Sequence, residues 1–351
     1  MTAQEIQHNI AQVKELAWGL VSTAALCVAV DLELADHLDD GPRSRDELAS
    51  ATGADPVALG QLLDALAARG VLHRTAAGGY ANTGLSLLLR KNDPNSMTDL
   101  VRWIGHPVFW RLWPHLDDAV REGKPRSVEV FGKDFFRYLH EEEPEAVATF
   151  TGAMTQASNH TATAIADSLD LSGTSMVADI GGGQGRLLAA ILEKAPDVRG
   201  VLLDLPGVVA QALPGLREGT LADRVTLVGG DCRQAVPVTA DLYVLKNILD
   251  WDDASTVRTL ENVRRAAPPG ARVVVVETLS DHTPEPEVTT SLDLLLLLNV
   301  GGHQHTARQV ADLFARGGIR FDGVRPTGTF LQLVEGTVAA GEEGANDVSA
   351  S

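Results

Sequence analysis

Cysteine is nearly missing from this chain: Cys27 and Cys232 are the two among 351 residues. Two thiols so far apart, in unlike contexts, exclude a disulfide framework and point to a reducing cytoplasm. Cations are also short. Against 47 Asp and Glu stand 29 Lys and Arg, a formal net charge of -18. That balance argues against nucleic acid and anionic membrane as partners, since both reward clustered Lys and Arg. No long hydrophobic run is present, because the leucines 294–298 are far too few to span a bilayer. The start, MTAQEIQHNIAQVKELAW, lacks a basic segment followed by an apolar one, so no signal peptide is expected. Aromatics are 5% of a chain that is 44% hydrophobic. What remains is a soluble, globular, aliphatic sequence long enough for two ordinary domains.

Residues 10–90 are rich in Ala and Leu at helical spacing. ALCVAVDLELADHL reads as one helix. SRDELASATG reads as a second, with Ser44 and Glu47 spaced as a capping box and Gly53 at its end. DPVALGQLLDALAARG reads as a third, with Asp55 as N-cap, Pro56 after it and Gly70 as terminator. VLHRTAAGGYANT then reads as two short strands around a turn. Three helices and a small hairpin form a winged-helix pattern. Its recognition helix, Pro56 to Gly70, offers Arg69 against Asp64, which is poor equipment for a major groove and speaks against a DNA-binding regulator.

Residues 95–170 read as helical and hold Trp103, Trp110 and Trp113 with His106, His115 and His160. From Met176 the character changes. MVADI, GVLLDL, RVTLVGGD, DLYVLKNIL and RVVVVETL are strand-like and alternate with helical stretches, which implies a parallel sheet covered on both faces. IRFDGVRPTG and TFLQLVEG read as an antiparallel pair on its edge, and the last residues, AAGEEGANDVSAS, as a disordered tail.

VADIGGGQGRLL sets Asp179, Gly181, Gly183 and Gly185 between the first strand and a helix, the setting of a nucleotide-type loop. The spacing is G-x-G-x-G; a dinucleotide loop would need glycine where Arg186 stands. A carboxylate at Asp179 repels phosphate and suits a cationic amino-acid end. Asp204, at the end of the second strand, can accept both hydroxyls of a ribose. Asp231, at the end of the third, can accept from an adenine amino group. An amino-acid end, a ribose and an adenine without phosphates describe S-adenosylmethionine.

VADIGGGQG, LLDLPGVV, GGDC, LKNILDWDD, ETL and LNVGGHQHT together resemble the S-adenosylmethionine-dependent O-methyltransferases related to plant caffeate methyltransferases and bacterial polyketide tailoring enzymes. The resemblance covers nearly the whole chain. It implies an α/β fold, a Rossmann-like class I methyltransferase sheet, with an N-terminal helical winged-helix dimerisation domain that makes a homodimer. The implied divisions are 1–92 for dimerisation, 93–172 as a helical connection contributing to the acceptor pocket, 173–337 for the cofactor and catalysis, and 338–351 as tail. Carried over by resemblance, Asp179, Gly181, Gly183, Asp204, Leu205, Asp231, Cys232 and Lys246 bind the cofactor. Phe150, Met154, Asn247 and Asn299 line the pocket of a small aromatic acceptor. No metal is expected.

In that family the segment after the lysine reads L-K-x-x-L-H-D-W-x-D, and its histidine takes the acceptor proton. Here Leu249 runs straight into Asp250, one residue short and without the histidine. The glutamate expected in the GG-x-E motif is Gln304, whereas the other family glutamate is retained as Glu277. Three routes for the proton stay open: Asp250 with its pKa raised by burial, His303 or His305 from the next motif, or an acidic phenol that needs no base. C-methylation of an aromatic ring and a repurposed, non-methylating family member are the alternative activities. Asp252 or Asp253 reads as a helix cap, Trp251 as core, and Cys232 as a small apolar contact.

Overall fold

The computed structural model describes residues 1–339, with the backbone only at His160. Residues 340–351, which carry most of the expected tail, lie outside the described residues. The chain divides into two compact units: residues 1–111 with 139–157, and residues 112–138 with 158 onward. Residues 93–172 are shared between the two.

In the first unit, helices Arg45–Thr52 and Pro56–Ala68 have the expected caps. Ser44 and Glu47 form a capping box, and Asp55 accepts from the backbone N–H groups of Val57 and Ala58. Strands β1 (Leu72–Arg74) and β2 (Tyr80–Asn82) pair antiparallel. The helix expected over ALCVAVDLELADHL is broken instead. Helix Gly19–Asp31 stops, Glu33 turns left-handed at φ 49, and a short helix Leu34–His37 follows. The turn brings Leu34 and Leu38 into the cluster around Leu48, Leu63 and Leu66.

The second unit is built on strands β3 (Met176–Ile180), β4 (Arg199–Asp204), β5 (Val225–Gly229), β6 (Leu242–Lys246), β7 (Arg272–Glu277), β8 (Ile319–Pro326) and β9 (Gln332–Val338). Their order is β5-β4-β3-β6-β7-β9-β8, and β9 alone runs against the others, pairing antiparallel with both β7 and β8. Both faces are covered, as a parallel sheet requires. On β6, Tyr243 and Leu245 face Leu260, Val263 and Phe314, while Leu242 and Val244 face Leu188 and Ile191. Two strands end earlier than their apolar runs suggest. β5 stops at Gly229, two residues before Asp231, and β6 stops at Lys246 rather than Leu249.

Asp241 ties the roots of β3 and β6 together. Its carboxylate accepts from the Ser175 N–H at 2.8 Å, the Ser175 hydroxyl at 2.6 Å and the Met176 N–H at 2.8 Å. These bonds hold its pKa below the usual value against a smaller effect of burial. Hydrogen bonds to a charged group contribute about 1.5–3 kcal/mol, so Asp241→Ala is expected to lower the unfolding free energy by about that much. The depressed pKa means this contribution is complete above the unfolded value near ~3.9 and is lost as pH falls through the folded one. Urea unfolding of both proteins at neutral and acid pH measures it; equal midpoints at neutral pH would show that the carboxylate holds nothing.

Candidate active site

The chain runs outward from β3 to β4 and β5, then returns to lay β6 on the other side of β3. Such a reversal opens a crevice beyond the carboxyl ends of the two central strands, the place where open α/β sheets bind ligands. Asp204, Lys246 and Glu277 each end a strand at that edge, and the glycine loop leaves β3 there.

The loop needs its glycines. Gly181, Gly183 and Gly185 have φ of 67, 61 and 81, which residues with a Cβ adopt at a cost. A Cβ on Gly182 would stand 2.5 Å from the Asp179 carboxylate, so that acid is packed directly beneath the loop. Asp179 is 1% exposed, and neither carboxylate oxygen has a hydrogen-bond partner. Burial raises its pKa to about 7, with Lys246 opposing and Asp204 adding to the rise. A buried, unsatisfied acid is costly, and a cationic group entering the loop would relieve it. Asp204 is already oriented, accepting from Gly183 N–H at 2.8 Å and Leu205 N–H at 2.7 Å. An acid held by the loop's own backbone suits a polyol just past the glycines. The residues present therefore fit an adenosine carrying a cationic amino-acid end.

Asp231 is clamped by Arg233, whose Nε and Nη2 each lie 3.0 Å from one of its oxygens. Burial pushes the Asp231 pKa up, and the bonds to Arg233 more than offset it. The same guanidinium lies 5.3 Å from the centre of the Trp251 ring. Cys232 is buried and its thiol is pushed up to about 11, first by burial and then by Asp231. It packs in the cluster with Leu249, Leu260 and Val263, as an apolar contact does.

Lys246 donates to the Ser158 hydroxyl at 3.1 Å. Burial lowers its pKa, while Asp179 and Glu277 work against that. Immediately after it, Asn247 has φ 52 and donates its backbone N–H to Val276 O at 3.1 Å. Left-handed backbone is rare outside glycine, and asparagine tolerates it best. This turn ends β6 and brings Leu249 over the end of β7, where its N–H donates to Glu277 Oε1 at 3.1 Å. Glu277 is 5% exposed. Burial, then the nearby Asp250, raises its pKa, and burial raises that of Asp250 as well. Two carboxyl groups so placed resist ionising together. Farther along, Asp252 caps helix Asp253–Ala266 by accepting from Ser255 N–H at 3.0 Å, and Asp250 takes no part in the cap.

His303 has its ring 4.3 Å from that of His305, beside Asp253. Asn299 is 7% exposed, and its Oδ1 has no hydrogen-bond partner. Phe150 and Met154 belong to the other unit, where the Phe150 ring lies 5.0 Å from that of Trp103. Ser158 and Arg233 were not singled out from the sequence. The tight i,i+2 clasp of Arg233 on Asp231 depends on a turn that spacing does not reveal, and Ser158 lies 88 positions from the lysine it meets.

The fold and this edge define a class I methyltransferase, preceded by a helical dimerisation unit. The comparisons narrow it. A family model described as O-methyltransferase domain matches residues 113–320, and one described as O-methyltransferase dimerisation domain matches residues 14–92. The chain belongs to this O-methyltransferase family. It is 39% identical to the O-demethylpuromycin-O-methyltransferase of Streptomyces alboniger, over 92% of this chain and 88% of that one. It is 33% identical to the aclacinomycin 10-hydroxylase of Streptomyces purpurascens, over 88% and 84%. Among solved structures, a mitomycin 7-O-methyltransferase superposes with TM-score 0.89 at 34% identity, covering 96% of this chain and 100% of that one. The O-methyltransferase of neocarzinostatin biosynthesis, solved with S-adenosylmethionine and 2-hydroxy-5-methyl naphthoic acid, gives 0.78 at 30%, covering 90% and 96%.

Glu277 makes a pH prediction. Its folded pKa is raised, so the native state holds a proton that the unfolded chain releases near ~4.3. Stability therefore falls as pH rises from there through the folded value. Glu277→Gln keeps an acceptor for the Leu249 N–H and removes the titration. The variant is expected to lose less melting temperature than the parent between about pH 5 and about pH 8, read by calorimetry. A parent that gains stability over that span relative to the variant would mean Glu277 is ionised in the fold.

Proposed function

We propose that this enzyme transfers the methyl group of S-adenosylmethionine to a hydroxyl of a phenolic, polyketide-type aromatic compound, with Asp250 as general base. The observation that carries the reading is the pair of carboxyls formed by Asp250, in the turn after β6, and Glu277, at the end of β7, in the segment where the resembled family carries a histidine. Asp179, Gly181, Gly183, Asp204, Leu205, Asp231, Cys232 and Lys246 would hold the cofactor. Asn247 and Asn299, whose Oδ1 is unpartnered, would meet the acceptor, and Phe150 and Met154 stand as acceptor residues on the family resemblance. The solved relative that holds both cofactor and a hydroxynaphthoic acid supports this choice of acceptor class.

When bound, S-adenosylmethionine supplies an electrophilic methyl on a sulfonium. Burial raises the pKa of both carboxyls, and the proposed step needs Asp250 in its ionised form. Asp250 takes the proton of the acceptor hydroxyl as the oxygen gains the methyl, and the thioether leaves uncharged. An aspartate near its ordinary pKa is a poor match for a phenol, and burial brings it closer to the operating pH. The buried edge contributes orientation and exclusion of water.

Asp250→Ala is expected to lower kcat by about 10²–10⁴-fold with the cofactor dissociation constant unchanged. Activity should recover with rising pH as the phenol ionises by itself. An unaltered pH–rate profile in the variant would remove Asp250 from the role. Methyl-labelled cofactor and candidate phenols, with the label located in the product, test the reaction. Label on ring carbon would replace it with C-methylation. Tight cofactor binding without transfer would favour a repurposed enzyme, a reading to which the missing histidine and the hydroxylase among the relatives give substance.

The match to a dimerisation domain supports a homodimer. Leu16, Trp18 and Leu20 are 80%, 62% and 59% exposed, an apolar run that a second copy would cover. Trp18→Asp with Leu20→Asp is expected to give monomers in light scattering, and an unchanged mass would place the interface elsewhere. Among the described residues no single helix is long and apolar enough to cross a membrane. The two cysteines are free thiols, which supports a cytoplasmic setting.

A further inference from the structure

The second unit holds a cluster that the proposed reaction does not use. Asp253, His303 and His305 each offer one ligand atom, and these atoms all lie within 4.8 Å of one another. His305 Nε2 and Asp253 Oδ1 are 3.6 Å apart. Two ligands about 2.0–2.1 Å from a shared metal ion would stand roughly that far apart in tetrahedral geometry. His305 is 4% exposed, and both its Nε2 and Asp253 Oδ1 are buried without a hydrogen-bond partner. A buried ring nitrogen and a buried carboxylate oxygen at this distance pair only when the ring is protonated, and neither makes a hydrogen bond. The other Asp253 oxygen accepts from Arg316 at 3.0 Å. Ligating carboxylates are commonly held in this way by an outer hydrogen bond.

We infer that Asp253, His303 and His305 form a binding site for a divalent transition-metal ion of the zinc class. Two imidazoles and one carboxylate select such ions over magnesium or calcium, which prefer all-oxygen sites. Water would complete the coordination. The ligands come from two separate elements, the first turn of helix Asp253–Ala266 and the loop 301–306. An ion there would cross-link the two. The same loop presses on the proposed base: a Cβ added to Gly302 would stand 1.8 Å from the backbone oxygen of Asp250. The site thus serves as a clip that fixes the segment carrying Asp250, and it does not itself meet the reacting atoms. It stands independently of the base assignment, because its readout is metal binding.

The test uses the full-length chain without a histidine tag, stripped with chelator and dialysed against Zn²⁺, with bound metal counted by mass spectrometry and affinity read by calorimetry. One ion per chain is expected, and Co²⁺ in its place should give the visible absorption of a low-coordinate site. His303→Ala, His305→Gln and Asp253→Asn should each weaken binding beyond the about 100-fold reach of an outer-shell loss, whereas Arg316→Gln should stay within it. His303 is half-buried, so its variant tests the site even if the His305 variant fails to fold; circular dichroism separates the two cases. No stoichiometric zinc in the parent, or zinc retained undiminished by the His303 and Asp253 variants, would overturn the inference.

Discussion

Parallel pairing of β3 with β4 on one side and β6 on the other is the constraint from which this active edge follows. Hydrogen-bonded strands must run side by side, but their connecting helices leave in opposite directions once the order reverses, and the gap between them cannot be filled by either. The glycine loop, Asp204, Lys246 and Glu277 reach that gap because each sits at the last residues of its strand. Shifting the register of any strand by one residue would turn its side chains to the opposite face and dismantle the site and the core together.

The edge is costly to fold. It holds an unsatisfied Asp179, a half-buried Lys246 and a buried Glu277 whose pKa the neighbouring Asp250 raises further. Burial of charge is tolerated where a ligand or a proton can later compensate for it. The left-handed Asn247 belongs to the same pattern, a strained turn kept because it delivers Leu249 and Asp250 to the end of β7. Loss of the family histidine at this turn does not leave the position chemically empty. Asp250 follows Leu249 directly at this turn, and its charge acts on Glu277.

Much of the fold was legible. The change from helical to alternating strand–helix patterning at Met176, the capping box at Ser44, the cap at Asp55 and the antiparallel edge pair all read directly from local spacing. The failures share one cause. The break at Glu33, the early ends of β5 and β6, and the clasp of Arg233 on Asp231 are backbone turns whose reason lies in what they let distant residues touch. Apolar runs continue through them, so periodicity reports an element that geometry has already ended.

By itself the sequence pointed to the class of ligand, because a glycine loop unsuited to phosphate and followed by strand-end acids is a local pattern with a chemical meaning, and its resemblance to the family pointed to a missing base. Only the tertiary structure decided what becomes of the acids. Asp252 caps a helix, Asp253 turns toward His305, and Asp250 meets Glu277. In the sequence these three carboxylates are near neighbours of one kind. Burial and the company of residues from other strands and loops separate them, since a carboxylate's charge state and use are set by its surroundings and not by its place in the chain.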